Sequence, residues 1–208
     1  MASHSHFYHG VCDMSGLIYI FTGDGKGKTS AALGMLLRAL TNGWSVGWVS
    51  WYKEKRWGIN EHHLSEILNT SAKKRLLFFP MGKGFYLRSV QQHGAVRTVR
   101  AQSSVIVDDD TPAQHRRAAH EALEKVRALL LQHIDVLFLD EVCNAVHDKL
   151  LKESDVLELL KQRGKTHVVL TGRNASAGLK KVADLVSVIQ KEKHPFDAGK
   201  LAVKGLDF

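Results

Sequence analysis

The stretch "FTGDGKGKTS" (21–30) sets three glycines and two lysines between an apolar run and a helical one. A loop between a buried strand and a helix aims backbone N–H groups at one spot, with the positive end of the helix dipole behind them. Gly23, Gly25 and Gly27 let such a loop curl around phosphate oxygens without Cβ clashes, and Asp24, Lys26 and Ser30 lie on the same turn. Lys28 is placed to reach outer phosphates, and the Thr29 hydroxyl to ligate Mg²⁺. The pattern departs from G-x-x-x-x-G-K-[ST] in one place, because Thr22 takes the first position and the glycine follows one residue late. A second constellation is "VLFLDE" (136–141), an apolar run ending in Asp140 and Glu141. Acids at the carboxyl end of a parallel strand stand where open sheets gather their ligands, and they would complete the Mg²⁺ shell opposite Thr29. Together the two read as a P-loop nucleotide site with Mg²⁺.

The elements that must position these residues alternate short apolar runs with longer helical patterns, the mark of an α/β chain with a mostly parallel sheet. Strands are expected at "LIYIF" (17–21), "SVGWVSW" (45–51), "RLLFF" (75–79), "IDVLFLDE" (134–141), "THVVLTG" (166–172) and "ADLVSVIQ" (183–190). The run "TSAALGMLLRAL" (29–40) is apolar nearly all round and predicts a buried helix stopped at Gly43. Thr111 and Pro112 punctuate the start of a long helix, in which Ala119, Leu123, Val126 and Leu130 recur at three- and four-residue spacing. Ser154 is expected to cap a shorter helix that ends before Gly164, and the Gly-rich end of the chain predicts a surface segment or short helix. Residues 88–110 fit either a loop or an extra hairpin.

The 208 residues suffice for one well-buried domain, expected over 16–208, with 1–15 as a disordered or vector-encoded tail. His4, His6 and His9 alternate there without further ligands at zinc spacing. A hydrophobic content of 44% with 24% charged residues is ordinary for a folded chain. No apolar stretch approaches the roughly 18 to 20 residues that span a bilayer, and the polar start has no signal-peptide core, so a cytoplasmic protein without a membrane partner is expected. Cys12 and Cys143 form no disulfide framework or CxxC site and read as a tail thiol and a buried thiol. The net charge of +8 favours anionic partners, but lysine and arginine are dispersed rather than blocked, which disfavours a nucleic-acid arm.

Other features are unlike a generic NTPase. "MGKGFYL" (81–87) puts Phe85 and Tyr86 on a Gly-flanked loop, as ligand surface or as core. Trp44, Trp48 and Trp51 lie at or along a strand and read as packing, and "LTGR" ends a strand with Arg173 at the same sheet edge. The stretches "FTGDGKGKTSAALG", "LDE", "GF", "LTGRNA" and above all "KHPFDAG" together resemble the P-loop family of ATP:corrinoid adenosyltransferases, which act on cob(I)alamin or cob(I)yrinic acid a,c-diamide. The similarity runs from about 17 to 208, and the late glycine of the phosphate loop is typical of that family.

The resemblance implies a RecA-like P-loop three-layer fold, usually homodimeric, in which ATP lies reversed relative to other P-loop enzymes. Co(I) of the corrinoid attacks the 5′ carbon of ATP and expels tripolyphosphate, with a flavoprotein as candidate reductant and adenosylcobalamin biosynthesis or salvage as the setting. Carried over by position, Gly23 to Lys28 cradle the phosphates, Thr29 and Glu141 hold Mg²⁺ with support from Asp140, and Phe85 faces the corrinoid. Leu87 stands where many members have Trp, residues 88–110 replace a shorter segment, and the N-terminal helix of some members is absent. The competing readings are a nucleic-acid-dependent RecA-like ATPase and an ATP-dependent corrinoid-binding module without transfer. The "KHPFDAG" stretch has no role in the first of these.

Overall fold

The computed structural model describes residues 15–54, 58–84, 110–200 and 202–206. Six strands form one all-parallel sheet: β1 (Ile18–Thr22), β2 (Val46–Ser50), β3 (Leu76–Pro80), β4 (Val136–Asp140), β5 (His167–Thr171) and β6 (Leu185–Val188), in the order β3-β2-β4-β5-β1-β6. All six expected strands are present. Pro80 closes β3, which lies at the sheet edge, where a residue without an N–H leaves no central ladder bond unmade.

Among the described residues, seven α-helices connect them: α1 (Lys28–Thr41), α2 (Leu64–Ile67), α3 (Thr70–Lys74), α4 (Pro112–Leu130), α5 (Val142–His147), α6 (Glu153–Lys161) and α7 (Ala177–Val182). The side chains of a strand alternate between faces, so the sheet has two cores. Ile18, Ile20, Leu137, Leu139, Val168 and Leu170 pack with α4 to α7 on one face. Trp48, Val136, Phe138 and Val169 pack with Ala32, Leu36, Ala39 and Leu40 of α1 on the other. The result is the expected three-layer α/β architecture. Trp48 and Trp51 are core residues, and Trp48 stacks on Phe138 with centroids 5.4 Å apart.

The long helix begins as its sequence dictates: Thr111 Oγ1 accepts from the Gln114 amide, and Gln114 Oε1 accepts from the Thr111 amide, a reciprocal cap. Three expectations need correction. α1 is not buried all round, because it covers only one sheet face and leaves Leu37 44% exposed. α6 starts at Glu153 with Lys152 in the cap position, so Ser154 lies inside the first turn and its hydroxyl donates to Asp155 instead. α2, α3, α5 and α7 were not anticipated. Ser176 caps α7, whereas α5 follows Glu141 without any side-chain cap. Gly43 does stop α1, at φ 84°, and among the described residues near the end of the chain Pro195–Ala198 form a short 3-10 turn.

Phe85 and Tyr86, Cys12, His4, His6 and His9, the expected tail up to residue 14, and residues 88–109 lie outside the described residues. Among the described residues, no helix is long and apolar enough to cross a membrane.

Candidate functional site

The parallel register lines up the carboxyl ends of the strands, setting Ser50 beside Asp140 and Phe21 beside Thr171. The phosphate loop, the acidic strand end and the β5 terminus therefore meet at one edge, as the topology of open α/β sheets requires.

The loop glycines do different jobs. A Cβ on Gly23 would lie 2.3 Å from the Ile189 carbonyl oxygen, and one on Gly25 would lie 2.5 Å from that of Gln190. These two glycines let the loop pack against the chain leaving β6, to which the Gly25 amide donates a 2.8 Å hydrogen bond through Ile189 O. Gly23 and Gly27 both have a left-handed φ, 109° and 115°, but nothing lies within 4 Å of the Gly27 Cβ position. Glycine is required at Gly23 and Gly27 by the backbone conformation and at Gly23 and Gly25 by the close approach of the chain leaving β6. Asp24, Lys26 and Ser30 are exposed on this loop and the first turn of α1.

Lys28 is buried, and its ammonium donates to the Gly25 carbonyl at 2.6 Å, within its own loop. Burial pulls this ammonium below the ordinary lysine value, with Glu141 opposing and the Arg173 guanidinium adding to the effect. Arg173 is exposed at the exit of β5, where its backbone N–H donates to Asn144 Oδ1 at 2.6 Å.

Thr29 and Asp140 are brought together as expected: Thr29 Oγ1 donates to Asp140 Oδ1 at 3.0 Å. Thr171 Oγ1 donates to the same oxygen at 2.7 Å and accepts from the Glu141 amide at 2.9 Å. Asp140 is fully buried. Glu141 has the left-handed backbone of φ 64°, which turns the chain from β4 directly into α5. Burial, then the neighbouring Asp140, push its carboxyl up to about 7. Its Oε2 is buried and has no hydrogen-bond partner.

Thr29, Asp140 and Glu141 thus offer hard oxygen donors, one of them orphaned, as a Mg²⁺ shell completed by phosphate and water would need. Among the described residues, no three His, Cys, Asp or Glu side chains cluster as a metal site of their own. The residues fit an ion delivered with a nucleotide.

Lys53, Glu61 and Thr171 were missed. Lys53 Nζ forms a 2.7 Å ion pair with Asp140 Oδ2 and lies 3.4 Å from Glu61 Oε1. Burial alone would lower this ammonium, but Asp140, Glu61 and Glu141 together hold it above the ordinary lysine value. The available signal was position: Lys53 and Thr171 stand at or just past the carboxyl ends of strands, as Asp140 does. Cys143 is the buried thiol that the sequence suggested, pushed up to about 12 chiefly by burial.

A separate apolar cavity of about 590 Å³ opens beneath the carboxyl-terminal half of α1, lined by Tyr19, Met35, Trp44, Phe138 and His167. Trp44 stacks on His167 there, with centroids 5.3 Å apart. It lies by the far end of α1 from Lys28 and Thr29.

Comparison with known proteins adds the family. Residues 14–208 match the model of ATP:corrinoid adenosyltransferase BtuR/CobO/CobP. A corrinoid adenosyltransferase of Pseudomonas aeruginosa is 32% identical over 94% of this chain and 85% of its own length. One of Sinorhizobium sp is 30% identical over 94% and 82%. The corrinoid adenosyltransferase CobA of Salmonella typhimurium is 31% identical over 93% and 86%. Among solved structures, the ATP synthase subunit NeqB from Nanoarcheaum equitans aligns with a TM-score of 0.48 at 13% identity, covering 88% of this chain and 48% of that one. This chain belongs to the ATP:corrinoid adenosyltransferase family.

Proposed function

We propose that the chain transfers the 5′-deoxyadenosyl group of ATP to the Co(I) of a corrinoid and releases tripolyphosphate. The observation that carries this reading is the meeting of Thr29 and Asp140 at the mouth of the glycine loop, in a chain whose residues 14–208 match this family. The electron pair of Co(I) forms the bond to C5′. The C5′–O bond breaks, and its pair departs with the triphosphate. No proton is transferred, so the site needs no general base.

Orientation and charge are what the protein must supply. N–H groups of the loop from Gly23 to Lys28, other than that of Gly25, which is bonded to Ile189 O, hold the phosphates, and the α1 dipole lies behind them. The Lys28 ammonium exchanges its Gly25 carbonyl partner for a phosphate oxygen. Thr29, Asp140 and Glu141 would hold Mg²⁺, which when bound neutralises charge on the departing triphosphate. Arg173 stands beside Glu141 and Lys28 as a further cation at this edge.

Phe85 follows Gly84 and would form the apolar wall that meets the corrinoid, whether cobalamin or cobyrinic acid diamide. A homodimer, a flavoprotein reductant, a cytoplasmic location and a place in adenosylcobalamin biosynthesis or salvage complete the reading. The test is an anaerobic assay with MgATP and chemically reduced cob(I)alamin, following the absorbance change as the cobalt–carbon bond forms. The Lys28→Ala variant should lose the signal; a protein that leaves the cobalt unalkylated under these conditions overturns the reading.

A further inference from the structure

Lys53 is an unusual cation for a P-loop site. Its side chain is only 11% exposed, and among the described residues every short contact of its ammonium runs to protein oxygen: Asp140 Oδ2 at 2.7 Å, Glu61 Oε1 at 3.4 Å and Thr29 Oγ1 at 3.5 Å. Thr29 and Asp140 are the residues that a nucleotide-bound divalent cation would use. Two more carboxylate oxygens in this group of side chains, Glu61 Oε2 and Glu141 Oε2, are buried without hydrogen-bond partners.

The ammonium therefore sits inside a set of hard oxygens of the kind a divalent cation takes. Two cations cannot share that set. An ion against Asp140 would lie within contact distance of Nζ, and at that range in a partly desolvated site the repulsion is large. Removing Lys53 would instead strip Asp140 and Glu61 of their ion-pair partner, beside a Glu141 carboxylate that Lys28 and Arg173 still face.

We propose that Lys53 is a positioning residue that serves as an internal counter-cation. It holds Asp140 in place and keeps free divalent metal out, so that the metal enters only with the nucleotide, whose phosphates offer the ammonium a new partner. This role rests on the metal site assigned above to Thr29, Asp140 and Glu141. It makes metal binding conditional on ATP.

The test uses Mn²⁺, read by electron paramagnetic resonance, as the probe for Mg²⁺, with the full chain and its Lys53→Met and Lys53→Arg variants. Wild type should take up Mn²⁺ poorly alone and well with ATP. Lys53→Met should bind Mn²⁺ without nucleotide about tenfold or more tighter than wild type, the effect of deleting one charge at contact distance. Lys53→Arg should behave as wild type. Thermal melts give a second readout: Mn²⁺ alone should raise the melting temperature of Lys53→Met and leave wild type unchanged, and a variant that folds only with Mn²⁺ gives the same result. Tight nucleotide-free binding by wild type, or a Lys53→Met variant with no gain in either readout, overturns the role. Failure of wild type to bind Mn²⁺ even with ATP would instead remove the metal site itself, and the role with it.

Discussion

Thr29 Oγ1 and Asp140 Oδ1, 111 positions apart in the chain, are joined by a 3.0 Å hydrogen bond at the carboxyl edge of the sheet. That bond links the phosphate loop to the acidic strand. Loss of the Thr29 hydroxyl should cost about 1–3 kcal/mol of nucleotide affinity, the range for a hydrogen bond or ligand at a charged group. Calorimetric titration of Thr29→Ala with ATP should show the loss in Mg²⁺ and little of it in EDTA. An equal loss in both would place Thr29 outside the metal shell.

Asp140 has a further partner in Lys53, and this pair is buried, with side-chain exposures of 0% for Asp140 and 11% for Lys53. Breaking such a pair from one side strands a charge and should cost about 3–5 kcal/mol. Urea unfolding of Asp140→Ala should show that loss, and combining it with Lys53→Met should recover part of it. Strict additivity of the two substitutions would mean that the pair contributes no coupling.

Two loop glycines should separate by experiment. Gly25→Ala drives a Cβ against the Gln190 carbonyl, so it should lower stability by roughly 1–3 kcal/mol whether or not ATP is present. Gly27→Ala meets no neighbour but strains a φ of 115°, a cost of about 1–2 kcal/mol, and it would disturb the N–H groups proposed to hold the phosphates. Melting curves with and without MgATP should show Gly27→Ala losing more of the nucleotide-induced rise in melting temperature. The reverse ranking would assign phosphate contact to Gly25.

Glu141 makes stability depend on pH. Its carboxyl is pushed up to about 7 in the folded chain, against an ordinary 4.5, so the folded state binds the proton more tightly than the unfolded state does. Its stabilising contribution is complete below about pH 4.5 and is lost as pH rises through 7, amounting to about 3 kcal/mol at most. In urea titrations without divalent metal, Glu141→Gln should become more stable relative to wild type as pH rises from 5 to 8. Parallel curves over that range would contradict the raised value.

The sequence was most legible where local chemistry decides. The Thr111 and Pro112 start of α4 needs only neighbours, and the phosphate loop and the Asp140 strand end carry their own punctuation. Lys53 was illegible because its partners come from the register of β2 beside β4 and from residues 24 and 87 positions away. α5 was missed because Glu141 turns left-handed and starts the helix with no capping side chain. Ser154 misled because a good capping residue also fits the first turn, and α1 misled because its apolar composition exceeds the face it covers.

The most direct measurement is the phosphorus-31 spectrum of the products after anaerobic turnover of MgATP with cob(I)alamin. Intact tripolyphosphate in one-to-one ratio with new cobalt–carbon bonds is the predicted result. Orthophosphate or pyrophosphate as the primary product would contradict attack at C5′ and assign the loop to hydrolysis.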